Sequence, residues 1–534
     1  MTTELISPGN NLLIAFRFSF DPLAIAKIKQ LPNANWYPDL KRWAVPWSPL
    51  AAWLTLKAFP DATHEGVQES IRESGELPSS LPPILYDFQR EGAAFLYEKA
   101  NAILADCPGA GKTLQAIAAS YLCPPVIISC PSSVKYQWCA EILRVCRKTE
   151  VQVVRSKKES IGKAEWTILS HSLLVEKHRD IIKQQPQSLI VDEAHVFRNA
   201  ERRRSQAFMA VASRVPRVIP MTGTPIFNKV SDLFPLLVAT KKLHQKDYWF
   251  FLQRYCDGKV VTRKTQKKTI FATQANGLTH GDELREFMAS FTLRRNRQQI
   301  GKQLPPLTRE TLPIDITNRQ EYEETQQETK SWILTHPEPR SDESRMIRIN
   351  TLRRIAAIGK VDAVVERLLL LQEAGEKAVV LCSFLEPLDL IEGAVSGSIR
   401  IDGSVSPQQR HNRIHQFQTD PRCSIALCSS EAGGVGVTLT AAHRSFILDI
   451  PWTAAQAQQE EARTYRDGQA HSTIITYVVG NDTIDLTMLS VIRKKSAWAK
   501  TIFEGGDDGY VDALSVIEKH ITERYEKCLP TYRI

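Results

Sequence analysis

Several features that would divert a reading of this chain are missing from it. Its ten cysteines make no Cys-x-x-Cys pair, no Cys/His zinc spacing and no regular interval. That argues against a disulfide framework or a structural zinc site. Cys130 and Cys382, set inside apolar runs, read as small buried hydrophobes in a reducing compartment. No eighteen apolar residues run together, and Arg17 interrupts the early LLIAFRFSF, so neither a membrane span nor a secretory leader is expected. The chain reads as soluble and intracellular. Internal repeats and low-complexity tracts are absent too. Acidic charge is in deficit, with 59 Asp plus Glu against 68 Lys plus Arg and a net charge of +9. A pI near 8.9 favours a polyanionic partner without requiring one.

What is present is an ordinary globular composition, 43% apolar and 24% charged over 534 residues, enough for about three or four domains with large cores. The chain is organised around LADCPGAGKT, Leu104 to Thr113. A short apolar strand, a tight loop and a helix-like LQAIAAS follow one another, the order a phosphate cradle needs. In such a loop the backbone of Pro108, Gly109, Ala110 and Gly111 turns N–H groups inward, and the helix N-terminus adds positive potential. Lys112 reaches the β and γ phosphates of ATP, and Thr113 holds Mg²⁺. The strict GxxxxGK[ST] pattern is not met, because Asp106 stands where its first glycine would be.

The surrounding sequence sorts into segments. Residues 1–60 hold a compact, aromatic-rich α+β piece: strand-like LLIAFRFSF, a helix opened by Asp21 and Pro22, then WYPDLKRWAVPW. It is expected to bury its own tryptophans. Lys27, Lys29, Lys41 and Arg42 interleaved with Trp36, Tyr37 and Trp43 also suit a nucleic-acid groove. Residues 61–83 read as a linker ending in Ser79, Ser80, Pro82 and Pro83. From 84 to 238, helix-like segments alternate with the buried strands AILAD, VIISC, WTILS, SLIVD and RVIPMTG, the pattern of a parallel sheet covered on both faces. Residues 239–348 become helical and basic. The α/β rhythm returns over 349–500, and 501–534 ends the chain as an amphipathic helix. The fold class expected is therefore α/β, with two parallel-sheet lobes around a helical insertion and a small N-terminal α+β domain.

Three further strings carry chemistry. SLIVDEAHVFRN ends an apolar strand in Asp192, Glu193, Ala194 and His195. Two adjacent acids at a strand tip divide the work of nucleotide hydrolysis, Asp192 binding Mg²⁺ through water and Glu193 orienting and deprotonating the attacking water. RVIPMTGTPIFN sets Thr222 and Thr224 around Gly223 at another strand end, where hydroxyls can report the state of the γ-phosphate. In the second lobe, LCSSEAGGVGVTL gives a glycine-rich loop, and QQEEARTYRDGQ places Arg463 and Arg466 one helical turn apart, with both guanidinium groups expected on one face. Arginines presented from there to a triphosphate would stabilise transition-state charge, an effect of ~10³ to 10⁵ in rate.

Taken together these strings resemble the Swi/Snf family of DNA translocases in helicase superfamily two. LYDFQREGAAFL is similar to its adenine-reading segment, with Gln89 as the match, and DCPGAGKT to its DEMGLGKT. CPSSVKYQW, ILSHSLL, VDEAHVFRN, MTGTPIFN, the arginine-rich FTLRRNRQQIGKQLPP and the last two motifs follow in the family's order over roughly 84 to 500. RYCDGK, IRIDGSVSPQQR and the N-terminal WYPDLKRWAVP resemble the HARP-type annealing helicases, which rewind or regress branched DNA. The chain departs from the pattern at Cys107-Pro108, at Ala462, where an aspartate usually stands beside the arginine, and at Glu431.

The resemblance implies two RecA-like lobes, ATP and Mg²⁺ as cofactors, His195 and Gln459 at the nucleotide, and duplex or branched DNA as partner. DNA would be held without sequence preference through Ser132, Ser170 and His171 in one lobe and Ser383, Ser429 and Ser430 in the other, by a chain acting as a monomer. Two alternatives stand beside it. One is a strand-separating helicase on DNA or RNA, which needs a wedge that a hairpin between Gly258 and Thr273 could supply. The other is a binding protein that uses ATP only as a switch.

Overall fold

The computed structural model describes residues 1–8, 11–68, 85–223, 225–226, 229–264, 269–274, 277–296, 299–300, 305–335, 342–430, 437–466 and 468–489. Thr224, most of the expected linker, the glycine-rich loop with Glu431, and the C-terminal segment 501–534 lie outside the described residues. The chain divides into two compact units, Met1–Ile300 and a second beginning at Gly301.

The first unit opens with a five-stranded sheet in the order β3-β4-β2-β1-β5, made of β1 (Thr2–Ile6), β2 (Leu13–Arg17), β3 (Asn35–Tyr37), β4 (Arg42–Pro46) and β5 (Thr63–Glu65). Asp21 opens the helix Pro22–Ile28 as expected, its carboxylate accepting the Leu23 N–H at 2.9 Å. Strand β5 pairs in parallel with β1, so residues read as the start of a linker belong to this module. Its tryptophans are not all inside. Trp36, on the edge strand, is 50% exposed, while Trp53 turns outward to meet Phe287 with ring centroids 5.6 Å apart. Lys57 pairs with Glu286 at 2.5 Å, and Leu50 N–H donates to the Lys242 carbonyl at 3.3 Å. Ile14, Phe16, Val45 and Leu54 therefore lie in one apolar cluster with Leu243, Leu284 and Phe287.

The second part of this unit is a parallel sheet. Its strands are β6 (Ile103–Leu104), β7 (Val126–Cys130), β8 (Val151–Val153), β9 (Trp166–Ser170), β10 (Ser188–Val191) and β11 (Arg217–Pro220), ordered β11-β10-β7-β9-β8. Parallel bridges Asn101↔Val218 and Leu104↔Met221 add β6 beside β11. Neighbouring residues divide between two cores: Ile127, Leu189 and Val218 face one, Ile128, Ile190 and Ile219 the other. That is the period-two consequence of helices covering both faces, and it explains why these strands read as unbroken apolar runs.

The stretch 239–348 is shared between the units. Helix Tyr248–Tyr255, a two-stranded antiparallel hairpin of β12 (Lys259–Lys264) and β13 (Thr269–Gln274), helix Gly281–Ala289 and β14 (Thr292–Leu293) belong to the first, and β14 extends the sheet in parallel beyond β6. β15 (Leu307–Ile314) and the helices Arg319–Thr335 and Asp342–Ile358 belong to the second. With β16 (Ala378–Cys382), β17 (Ile399–Ile401), β18 (Ile425–Ser429), β19 (Arg444–Ile447) and β20 (Thr473–Gly480), β15 forms a six-stranded parallel sheet ordered β15-β20-β19-β16-β18-β17. This sheet is again covered on both faces. Cys130, Cys256, Cys382, Cys423 and Cys428 are buried free thiols. Among the described residues no helix is long and apolar enough to cross a membrane.

Candidate active site

Strands β6, β11 and β10 lie side by side, so the three motifs that follow them meet at one edge of the first unit's sheet. After β6 the chain turns through Gly109 at φ +83° and Gly111 at φ +69° into the helix Lys112–Ser120. A Cβ on Gly111 would lie 2.3 Å from Gln89 Nε2, so only glycine allows this approach. Gln89 is buried. Its Nε2 donates to the Ala110 carbonyl at 3.3 Å and its Oε1 accepts the Tyr86 N–H at 3.1 Å, bracing the loop against the helix Asp87–Lys99. Lys112 folds back on its own loop, donating to the carbonyls of Asp106 at 2.9 Å and Cys107 at 3.2 Å. Positive-φ glycines, a helix N-terminus and a lysine at the loop's mouth fit a triphosphate.

After β10, Asp192 Oδ2 accepts from Trp138 Nε1 at 3.1 Å and Oδ1 from the Glu193 N–H at 3.0 Å. Burial, and after it the neighbouring Glu193 charge, push the Asp192 carboxyl up to about 6, with Trp138 and Lys112 pulling it back. Glu193 sits at φ +46°, a left-handed conformation that a non-glycine residue holds only when its surroundings impose it. Its Oε2 meets His195 Nδ1 at 3.1 Å, and the same nitrogen lies 3.2 Å from Thr222 Oγ1. The acid motif and the threonine motif are thus one connected group. Gly223 lies next to Pro108 and the Lys112 ammonium, and Thr113 opens the helix that follows the loop. An ATP-bound Mg²⁺ would find its donors in Thr113 and Asp192.

The expected phosphate contacts fall at strand ends. Ser132, exposed, follows β7, and Ser170 closes the neighbouring β9, where its hydroxyl caps a helix by accepting the Leu173 N–H at 3.3 Å. His171 is placed differently. It is buried, its Nδ1 lies 2.8 Å from Ser129 Oγ, its ring stands edge-on to Phe197, and burial followed by Arg204 lowers its pKa to about 3. A neutral, enclosed imidazole offers a phosphate no charge. In the second unit Ser383 and Ser430 follow the adjacent strands β16 and β18, and Ser429 is buried at the end of β18.

The arginine pair departs from its expected geometry. The helix Ala454–Glu461 stops before Arg463, and i to i+3 bonds such as Arg463 N–H to the Glu460 carbonyl at 3.2 Å tighten the chain beyond it. Thr464 then turns inward to Ser445 at 2.8 Å. Arg463 is buried with Nη2 on the Ser430 carbonyl at 3.2 Å, while Arg466 and Gln459 are half-buried. Neither arginine lies on that helix.

Sequence reasoning missed Trp138, Glu460 and, above all, the pairing of Asp106 with Arg295. Their backbone and side-chain atoms meet across 189 residues, a juxtaposition no local pattern announces. The acid in place of the loop's first glycine was the available signal.

Residues 88–358, half of the chain, match the SNF2-related domain family, and residues 359–468 match the helicase conserved C-terminal domain. The DNA annealing helicase and endonuclease ZRANB3 of Bos taurus is 29% identical over 450 residues, covering 80% of this chain and 41% of that protein. That of Mus musculus is 30% identical over 449 residues, covering 80% and 41%. A SWI/SNF-related subfamily A-like protein 1 homologue of Caenorhabditis elegans is 26% identical over 520 residues, covering 91% of this chain and 74% of that one. The chain spans about two fifths of the first two relatives. Among solved structures, the Sulfolobus solfataricus SWI2/SNF2 ATPase core in complex with dsDNA overlays with a TM-score of 0.38 at 20% identity, covering 85% of this chain and 97% of that one. With the phosphate loop, the paired acids and the threonine motif gathered at neighbouring strand ends, and the domain match running through all of them, this chain belongs to the SNF2-related family.

Proposed function

We propose that this protein is an ATP-dependent translocase on double-stranded DNA that remodels branched DNA by annealing or fork regression, acting inside the cell as a monomer. The observation that carries the reading is the connected group at the first unit's strand ends. Lys112 waits on carbonyls it can exchange for phosphates, Asp192 stands ready for Mg²⁺, and Glu193 is held in a strained conformation beside His195 and Thr222. Glu193 would take a proton from the attacking water, and the His195–Thr222 contact would register the change at the loop carrying Gly223 and Thr224. Arg466 and Arg463 would supply positive charge to the phosphates from the second unit. Ser132 and Ser170 in one unit and Ser383, Ser429 and Ser430 in the other would touch DNA phosphates, a mode indifferent to sequence, as a translocase needs. Relatives named as DNA annealing helicases support the branched-DNA reading.

ATP turnover measured alone, with duplex and with forked DNA tests it. Turnover that rises on DNA, most on forks, is expected, and a rate unmoved by DNA would remove the motor. Comparing strand annealing, fork regression and strand displacement on matched substrates then separates the branches. Strand separation stays as a second reading because a hairpin, β12–β13, is present in the stretch between Gly258 and Thr273 that could supply a wedge. Displacement without annealing would favour it. A mere ATP switch fits poorly with an acid poised as Glu193 is.

A further inference from the structure

Among the described residues of the first unit, one charged pair is heavily bonded although the motifs that contain it give it no role. Asp106, the residue in place of the phosphate loop's first glycine, is fully buried. Its Oδ1 accepts both the backbone N–H and Nε of Arg295, at 3.0 and 3.1 Å, and its Oδ2 accepts Arg295 Nη2 at 2.6 Å and Gln115 Nε2 at 3.1 Å. Arg295 spends its remaining donors on the same neighbourhood. Nη1 donates to the Phe88 carbonyl at 2.6 Å, one residue before Gln89, and Nη2 also reaches Gln115 Oε1 at 2.9 Å. The Arg295 carbonyl in turn accepts the Cys107 N–H at 3.1 Å, the last rung of the β14–β6 ladder. The two carbonyls on which Lys112 rests, those of Asp106 and Cys107, are therefore both carried by residues that Arg295 holds.

We propose that Arg295 is a positioning residue for the nucleotide cradle: through Asp106 and Cys107 it sets the shape of the phosphate loop and the resting place of Lys112, and through the Phe88 carbonyl it sets the helix that carries Gln89. This rests on the reading of the loop as a nucleotide site. The physical reason is preorganisation. A loop with positive-φ glycines has many shapes of similar energy, and a planar fork donating to a carboxylate, a carbonyl and an amide at once selects one of them. If that shape is only fractionally populated, apparent affinity falls by the same fraction, while turnover at saturation is preserved. Arg295 also stands five residues before Ile300, where the first unit ends. A segment that leaves the unit there holds the cradle as it goes.

The test uses the full chain with Mg²⁺ and a fluorescent ADP analogue, read by anisotropy without DNA, beside thermal unfolding and ATP kinetics. Arg295→Lys keeps a positive charge against Asp106 but cannot make the fork. Its unfolding midpoint should stay within about 3 °C of the native chain, its dissociation constant should rise at least tenfold, and KM for ATP should rise with it while kcat holds within twofold. A second variant avoids removing any charge. On Gly92 a Cβ would lie 1.8 Å from Gln115 Oε1 and 2.8 Å from Arg295 Nη2, so Gly92→Ala wedges the clamp from outside with a residue that favours helix. It should weaken nucleotide binding about fivefold, and it decides the matter if Arg295→Lys does not fold. Both variants binding within twofold of the native chain would overturn the proposal, as would a loss of stability with unchanged affinity. A native chain that binds no nucleotide overturns the nucleotide reading and this proposal together, whereas tight binding without DNA stimulation overturns the motor alone.

Discussion

Glu193 and Glu460 are both acids near their unit's machinery, and their surroundings give them opposite uses. Glu193, strained at φ +46° and tied to His195, is the acid proposed to act on water. Glu193→Gln should keep nucleotide binding and lower turnover by about 10² to 10⁴, measured as kcat against the binding constant of an ADP analogue. An active variant would mean another group is the base. Glu460 is buried in the second unit, and among the described residues its Oε2 finds no hydrogen-bond partner. Burial, and after it Asp449, raise its carboxyl to about 7. The folded chain thus keeps this proton through a window in which the unfolded chain, titrating near ~4.3, has lost it. Stability from this group is complete below the unfolded value and disappears as pH rises through about 7. Glu460→Gln should match the native chain at acid pH and unfold at a higher temperature at pH 8.5, a gain on the order of 3 kcal/mol. Equal midpoints at both pH values would refute this.

At the scale of elements, the phosphate loop and the helix Pro49–Ala58 show how differently two segments declare themselves. The loop is legible in the sequence because its constraint is local: glycine at φ +69° and a lysine at the next residue follow from the chain's own backbone needs. Gly111→Ala would impose a left-handed alanine, costing about 1 to 2 kcal/mol, and displace Gln89. We expect at least a tenfold loss of nucleotide affinity, checked by titration. The helix was not read in the sequence, although Ser48 caps it by accepting the Ala51 N–H at 3.1 Å. Its role was hidden too, because the partner that Trp53 meets lies more than two hundred residues away at Phe287. Trp53→Ala should lower the first unit's stability by about 2 to 3 kcal/mol in denaturant melts, with nucleotide affinity unchanged. The arginine pair shows the opposite case. Spacing allowed both arginines one helix face, but the helix ends before them, at Glu461.

At the scale of the whole molecule, the N-terminal module is part of the first unit's core and not an appendage. Deleting residues 1–68 would expose Phe287, Leu243 and their neighbours, and should lower the unfolding midpoint by at least about 5 °C. A truncation therefore tests folding before it tests DNA handling. Arg17→Ala and Arg42→Ala, which lie outside that cluster beside Glu4, are the cleaner probes of the latter. The net charge of +9 sets a further expectation. Affinity for duplex should be equal on unrelated sequences and fall by on the order of 10³ between about 50 and 200 mM salt, read by anisotropy. Weak salt dependence would argue against lysine and arginine contacts to phosphates as the basis of binding.

What the sequence determined by itself was whatever a short stretch of backbone can enforce. Strand, loop and helix around Lys112, the acids closing β10, the threonine turn after β11 and the alternation that makes two parallel sheets are all of this kind. Propensity, periodicity and glycine conformation act over a few residues and can be read there. Tertiary structure alone decided that His171 is enclosed, that Glu193 reaches Thr222 through His195, and that Arg295 holds Asp106. Those outcomes come from packing and from the need of buried polar groups to find partners, and both are settled among residues far apart in the chain.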